Sequence, residues 1–228
     1  MQRLRRLSGR RSAREEEGAF VIDGPTLLAE AVAAGVEVQE VFATPDAHPD
    51  ALAAAARAGA VVHAVPADVL ARSVDTVTPQ GVAAVATRVE VPLATAVAAV
   101  VEGGLGLVLV DVADPGNAGT LLRAAEAAGA SAVLFCGSSV DPSGSKCVRA
   151  SAGALFHLPV AVGGEAVEIL GELRAGGVRT LATTIGEGRA YDEVDWRLPS
   201  TLVLGSEAHG LPPEVVAAAD EAITIPIT

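Results

Sequence analysis

The sequence predicts an α/β protein of two units, on three observations. Hydrophobic residues make up 50% of the 228 residues but aromatics only 3%, so the core has to be built from Ala, Val and Leu, which suits layered α/β packing better than an aromatic-rich β-sandwich. The period of the apolar residues alternates between that of a strand and that of a helix along most of the chain. In the second half the strand segments are near-continuous runs of Val, Leu and Ala, the pattern of a parallel sheet covered on both faces.

Taken in order, "AFVIDG" reads as a short strand and "PTLLAEAVAAG" as a helix with Pro25 in its first turn and Gly35 at its stop. "VEVQEVFAT" is a strand, "HPDALAAAARAG" a helix, "AVVHAV" a strand, "PADVLARSV" a short helix and "GVAAVATRVEV" a strand. These form a βαβαβ-like unit over residues 1–90. The segment "PLATAVAAVVEGG", which begins with Pro92 and ends in a glycine pair, is expected to bridge as a linker over 91–104. The pattern restarts over 105–228 with "LGLVLVDV" (strand), 117–129 (helix), "SAVLFCG" (strand), 145–155 (helix), "LPVAV" (strand), 165–175 (helix) and "VRTLATT" (strand). It ends with "STLVLGSE" (strand), "PPEVVAAAD" (helix) and "AITIPIT" (strand).

The formal charge of −12 is unevenly spread. Residues 1–14 carry Arg3, Arg5, Arg6, Arg10, Arg11 and Arg14 and no acid, which leaves an acidic body with 10 basic against 28 acidic residues. Such a body argues against strong non-specific nucleic-acid binding, while six arginines on a short arm are able to contact phosphates. Composition alone favours a solvated, partly disordered arm. The arginines run into Glu15, Glu16 and Glu17 where a signal peptide needs an apolar stretch, and no window resembles a membrane span, so a soluble, cytoplasmic protein without membrane attachment is expected. Cys136 and Cys147 have no ligand-like spacing to other Cys or His and read as small buried or half-buried thiols; no metal is expected.

Ligands of parallel sheets sit at the carboxyl ends of the strands, so the loops there carry the chemistry. Four are polar: "DVADPGNAG", "GSSVDPSGSKCVRASAG", "TTIGEGRAY" and "GSEAHGLP". In the first, Asp114, Pro115, Gly116 and Asn117 are turn residues able to cap the next helix. Arg123 lies six positions past Asn117, which at 100° per residue puts it on another face, so one structural role does not explain both. Its surroundings, Leu121, Leu122, Ala124 and Ala125, leave two readings: the side chain snorkels to solvent, or an acid or phosphate holds it. In "LVLGSEAHGLP", Gly205 permits close backbone approach to a ligand, Glu207 places a carboxylate at the mouth of the sheet, and Gly210 closes the turn before Pro212 and Pro213. No dinucleotide fingerprint or phosphate loop has the right order or spacing. His157 and His209 are single, and His209 reads as an ordinary loop histidine.

These stretches resemble the SpoU (TrmH-like) RNA ribose 2′-O-methyltransferases. "DPGNAGTLLRAAEAAGA" is similar to the family's first motif, with its N-x-G-x-x-x-R core as Asn117, Gly119 and Arg123; "LVLGSEAHGLP" resembles the second motif and "ITIPI" the start of the third. "FVIDGPTLLAEAV" and "TPQGVAAVA" resemble the family's substrate-binding domain, and "DPSGSKCVRASAGALFHLPV" the segment between the first two motifs. The likeness runs in order from about residue 15 to 228.

The resemblance implies a small ribosomal-protein-like α/β RNA-binding domain followed by a SPOUT α/β domain with a trefoil knot, a feature that general topology rules alone would reject. It implies methyl transfer from S-adenosylmethionine to a ribose 2′-hydroxyl of rRNA or tRNA, by a homodimer whose arginine can come from the neighbouring subunit. By position, Thr183, Leu204, Gly205, Ile225 and Ile227 would line the cofactor pocket, and Asn117, Arg123 and Glu207 the catalytic centre. Arg123 would anchor the phosphate flanking the ribose and stabilise the forming alkoxide, since a guanidinium is a poor base; Glu207 would orient Arg123 or Asn117. The family's third motif continues beyond "IPI" into a Gly- and Glu-containing loop and a further helix, whereas this sequence stops at Thr228, so either the sequence is clipped, which is the expectation, or the protein is defective in cofactor binding. Two other readings stay open: an RNA-binding protein that keeps the fold without the chemistry, and a SPOUT enzyme that methylates a base nitrogen.

Overall fold

Proline and glycine punctuation sets where most helices begin and where the chain turns back, and the apolar runs between them become strands. The computed structural model describes residues 1–45 and 47–226. The elements begin with α1 (Gln2–Gly9), α2 (Arg11–Glu17), β1 (Ala19–Asp23), α3 (Pro25–Ala33), β2 (Val38–Ala43), α4 (Pro49–Arg57), β3 (Val61–Ala64), α5 (Ala67–Ala71) and β4 (Val82–Thr87). They continue with α6 (Leu93–Gly103), β5 (Leu105–Val110), α7 (Pro115–Ala127), β6 (Ala132–Cys136), α8 (Ser145–Ser151), β7 (Val160–Val162) and α9 (Ala166–Ala175). The last are β8 (Arg179–Thr184), β9 (Arg189–Ala190), β10 (Ser200–Leu204), α10 (Pro213–Ala218) and β11 (Glu221–Thr224). The chain divides into residues 1–89 with 141–157, and residues 90–140 with 158–228. The segment around α8 therefore packs with the first unit, and the stretch expected to be a linker is mostly the helix α6 of the second.

In the first unit a four-stranded sheet has the order β1-β4-β2-β3. β2 and β3 are parallel across α4, but β4 runs antiparallel between β1 and β2. The apolar runs specified burial of β1 and β4, not their direction.

The arginine-rich arm is not a solvated tail: it forms α1 and α2, with Leu4, Leu7 and Ala13 buried in a cluster with Phe42, Leu70, Ala83 and Val85. Its cations find acids supplied by the folded unit. Arg3 pairs with Glu17 at 2.7 Å and with Glu40, Arg6 with Glu17, and Arg11 with Glu15 at 2.8 Å. Arg14 is buried, with side-chain exposure of 7%, as is its partner Asp141 at 2.7 Å; its Nη1 also donates to the Leu7 carbonyl at 2.7 Å. Composition missed this because the Glu40 partner of Arg3 and the Asp141 partner of Arg14 lie far away in sequence.

The helix expected over 145–155 is broken after Ser151, where Ala152 (φ 49°) and Gly153 (φ 102°) adopt left-handed conformations; a single 3₁₀ turn follows at Ala154–Phe156. Cys136 and Cys147 are both free and buried, and burial pushes each thiol up to about 12.

The second unit is a seven-stranded sheet of order β7-β6-β5-β10-β8-β11-β9, parallel throughout. One core cluster joins α6 and α9 (Val97, Val100, Ile169, Leu170, Leu173) to the strands through Val108, Leu134 and Val203. The two best-placed tests of the topology are at its far edge. β11, the last strand, lies between β8 and β9, which are consecutive in sequence. The connection from β8 to β9 passes so close over it that a Cβ on Gly188 (φ 95°) would stand 2.4 Å from the Ala222 carbonyl oxygen. Asp220 fixes the entry of β11: its Oδ2 accepts from the Thr180 amide and hydroxyl at 2.8 Å each, and its Oδ1 pairs with Arg174 Nε at 2.8 Å.

Candidate functional site

Asp114 caps α7, its Oδ1 accepting the Asn117 amide at 2.8 Å, and Pro115 occupies the first turn. The helix thus starts two residues before the expected 117, and Asn117 lies inside its first turn with a side chain that the cap does not need. Glu207, from the loop after β10, uses that freedom. Its Oε1 accepts from Asn117 Nδ2 at 3.0 Å and from the Asp114 amide at 3.2 Å, while Oε2 accepts from the Ala113 amide at 3.2 Å. Partial burial opposes the charge, but the hydrogen bonds from Asn117 and from the Glu207, Ala113 and Asp114 amides outweigh it and lower the carboxyl to about 2. Glu207 is thus a permanent anion at the positive end of a helix, and it points the Asn117 carboxamide.

Two of the three expected catalytic residues are therefore together. Arg123, two turns along the same helix, is exposed and makes no hydrogen bond or ion pair among the described residues. Beside it, an apolar groove of about 500 Å³ is lined by Leu121, Ala124, Ala128, Trp196, Leu202 and Leu204. Trp196, 42% exposed, drew no attention in the sequence because it stands in a loop without periodicity.

The expected cofactor residues collect at the carboxyl edge of β8, β10 and β11. Register sets Ala182 opposite Val203, Thr183 opposite Ile223 and Thr184 opposite Thr224. The Thr183 hydroxyl is occupied, donating to the Val203 carbonyl at 2.9 Å. Gly205 is required by its own loop: a Cβ would stand 2.2 Å from the Gly210 carbonyl carbon and 2.4 Å from the Leu211 amide nitrogen. The loop closes through Ser206 and Gly210, whose amides bond each other's carbonyls at 3.0 and 2.8 Å. The close approach expected at Gly205 is thus backbone on backbone. Ile227 lies outside the described residues.

An adenosyl sulfonium needs apolar walls and peptide edges, and this edge supplies both. Ile225, just past β11, is 49% exposed, and Ile185, just past β8 and passed over by the sequence reading, is 93% exposed. A large apolar residue between Thr184 and Gly186 was the available signal. The residues present therefore fit S-adenosylmethionine. Among the described residues no group of three or more His, Cys, Asp or Glu is gathered to hold a metal.

Comparison with known proteins agrees with these motifs. The SpoU rRNA Methylase family matches residues 104–228, and the MRM3-like substrate binding domain matches residues 1–84. The 23S rRNA (guanosine(2553)-2'-O)-methyltransferase RlmP of Bacillus subtilis is 29% identical over 94% of this chain and 82% of its own length. The crystal structure of the SpoU methyltransferase AviRb from Streptomyces viridochromogenes in complex with AdoMet superposes with a TM-score of 0.87 at 26% identity, covering 100% of this chain and 88% of that one. An AdoMet-bound rRNA methyltransferase from Sinorhizobium meliloti gives 0.85 at 28% identity, covering 100% and 85%.

Proposed function

Because the chain belongs to the SpoU rRNA methylase family, we propose that it transfers a methyl group from S-adenosylmethionine to a ribose 2′-hydroxyl of rRNA or tRNA. The observation that carries this reading is the Glu207–Asn117 clamp on the start of α7, which joins the first two motifs at the carboxyl edge of the sheet. A relative named as a 2'-O-methyltransferase is similar to this chain over most of its length, and an AdoMet-bound structure shares its fold.

When bound, S-adenosylmethionine supplies an electrophilic methyl group on a sulfonium. The chain has to hold the ribose oxygen in line with it and stabilise charge on that oxygen. We assign Thr183, Leu204, Gly205 and Ile225, with Ile227, to the walls of the cofactor pocket, where the Thr183 hydroxyl, its hydrogen given to the Val203 carbonyl, is left only as an acceptor. Arg123 anchors the phosphate next to the target ribose and stabilises the developing alkoxide, whose proton leaves to solvent water because neither Arg123 nor the ionised Glu207 takes it. Glu207, ionised above about pH 2, is a positioning residue and not the base; it aims Asn117 at the reacting sugar.

An exposed Arg123 without a partner, next to an apolar groove on the same helix, supports a homodimer in which this arginine serves the neighbouring subunit. The insertion of β11 between β8 and β9 supports the trefoil knot. Among the described residues no helix is long and apolar enough to cross a membrane; an RNA substrate is what supports the cytoplasmic location proposed for the protein. The deciding experiment incubates the protein with RNA and isotopically labelled S-adenosylmethionine and locates the label by mass spectrometry of the digested nucleosides. Label on ribose is expected; label on a base nitrogen, or none with RNA still bound, would replace this reading with one of its two competitors.

A further inference from the structure

In the first unit, a polar cleft of about 310 Å³ lies between the start of α3, the loop before β4 and α8. Its floor holds Asp23, whose side chain is only 6% exposed. For so buried a carboxylate it is poorly satisfied: Oδ2 has Arg149 Nη1 at a long 3.5 Å, and Oδ1 has no hydrogen-bond partner among the described residues. Burial accordingly pushes its pKa up, and Arg149 only partly opposes this. Arg149 is held in place by a second bond, Nη2 to the Asp75 carbonyl at 2.9 Å, and the Asp75 amide is in turn fixed by Ser8 Oγ at 3.1 Å. Gly24 (φ 104°) leaves room for Gln80, whose amide oxygen comes within 2.8 Å of where a Cβ would stand. Leu27, half-buried, lines the cleft beside them and offers an apolar wall.

Asp23 and Arg149 together offer the cleft two acceptor oxygens with a guanidinium donor beside them. Of the four RNA bases, guanine alone presents the complement on one edge: the N2 and N1 hydrogens as adjacent donors, then O6 as an acceptor. Adenine and uracil each set an acceptor against the carboxylate, and cytosine offers it a single donor. A cleft of this volume admits one planar base, with a flat face against Leu27, and unstacked bases are what proteins read in RNA.

We propose that this cleft binds a single unpaired guanine of the substrate RNA, with Asp23 accepting from N1 and N2 and Arg149 donating to O6. The inference rests on the reading that RNA is the ligand and adds which base the first unit selects. It is tested by fluorescence anisotropy of the full chain, without cofactor, against labelled single-stranded UUGUU, UUIUU (I, inosine) and UUAUU. Binding of UUGUU about tenfold or more tighter than UUAUU is expected, with inosine, which lacks the N2 donor, between them. Asp23→Asn should erase the preference while circular dichroism stays that of the parent. Equal binding of the guanine and adenine oligonucleotides by the unaltered chain overturns the proposal, whatever the variant does, and so does a preference that survives Asp23→Asn. Guanine preference without ribose methylation would sink the function proposed above and leave this cleft standing; methylation without guanine preference does the reverse.

Discussion

A single carboxylate decides which roles the other catalytic residues can take. Glu207 is held at about 2, so it is charged wherever the protein functions and has almost no affinity for a proton at neutral pH. Between pH 5 and 8, activity should show no limb due to Glu207, and Glu207→Gln should lower kcat/KM by roughly 10²-fold without changing the shape of the pH profile, because what it loses is the aim of Asn117. A neutral limb that vanishes in the variant would contradict this. In stability the sign is that of a depressed acid: its contribution is complete above the unfolded pKa of about 4.3 and is lost as pH falls from there toward about 2. For Arg123→Ala, turnover should fall by roughly 10²- to 10³-fold or more while S-adenosylmethionine affinity, read by calorimetry, stays nearly unchanged. Lysine should not rescue it, since a compact ammonium cannot grip a phosphate with two parallel bonds. Equal loss of both quantities would move Arg123 into the cofactor pocket.

At the scale of elements, what holds α2 in place is a buried ion pair. Arg14 and Asp141 are each 7% exposed in their side chains; removing one partner strands the other charge in the core. Arg14→Ala should therefore cost about 3–5 kcal/mol in urea unfolding, whereas Arg11→Ala, whose pair with Glu15 is half exposed, should cost about 0.5 kcal/mol or less. Similar losses for the two would mean that the arm is not packed as described. α1 and α2 were illegible in the sequence for a physical reason: a run of arginines reads as a solvated stretch until Glu40 is brought to Arg3 and Asp141 to Arg14. By contrast, β5 and β6 were legible, because their near-continuous apolar runs, LGLVLV and AVLFC, need cover on both faces. The helix start at Pro115 was nearly so, displaced by two residues because the cap is Asp114 and not Asn117.

At the scale of the whole molecule, the central question is which copy of the chain Arg123 serves. If it reaches the site of a second copy, mixing inactive Arg123→Ala with inactive Glu207→Gln should restore activity. Random pairing gives half mixed dimers, each with one intact site, so about a quarter of the parent activity is expected after exchange of subunits. No recovery, with exchange verified by native mass spectrometry, would confine each site to one chain. Replacing Ala124, in the apolar groove beside Arg123, by Glu should shift the protein toward monomer in sedimentation velocity and lower activity with it.

The sequence by itself determined most of the alternation of strands and helices and the parallel sheet of the second half, because periodicity and turn chemistry are local properties that a chain carries wherever it folds. Only the tertiary structure decided that β4 runs antiparallel, that β11 slips between β8 and β9, that Glu207 clamps Asn117, and that Asp23 and Arg149 meet in one cleft. Each of these joins residues tens of positions apart. Strand direction, hydrogen-bond partners and the energy of a buried charge depend on what stands opposite in space, which no local pattern records.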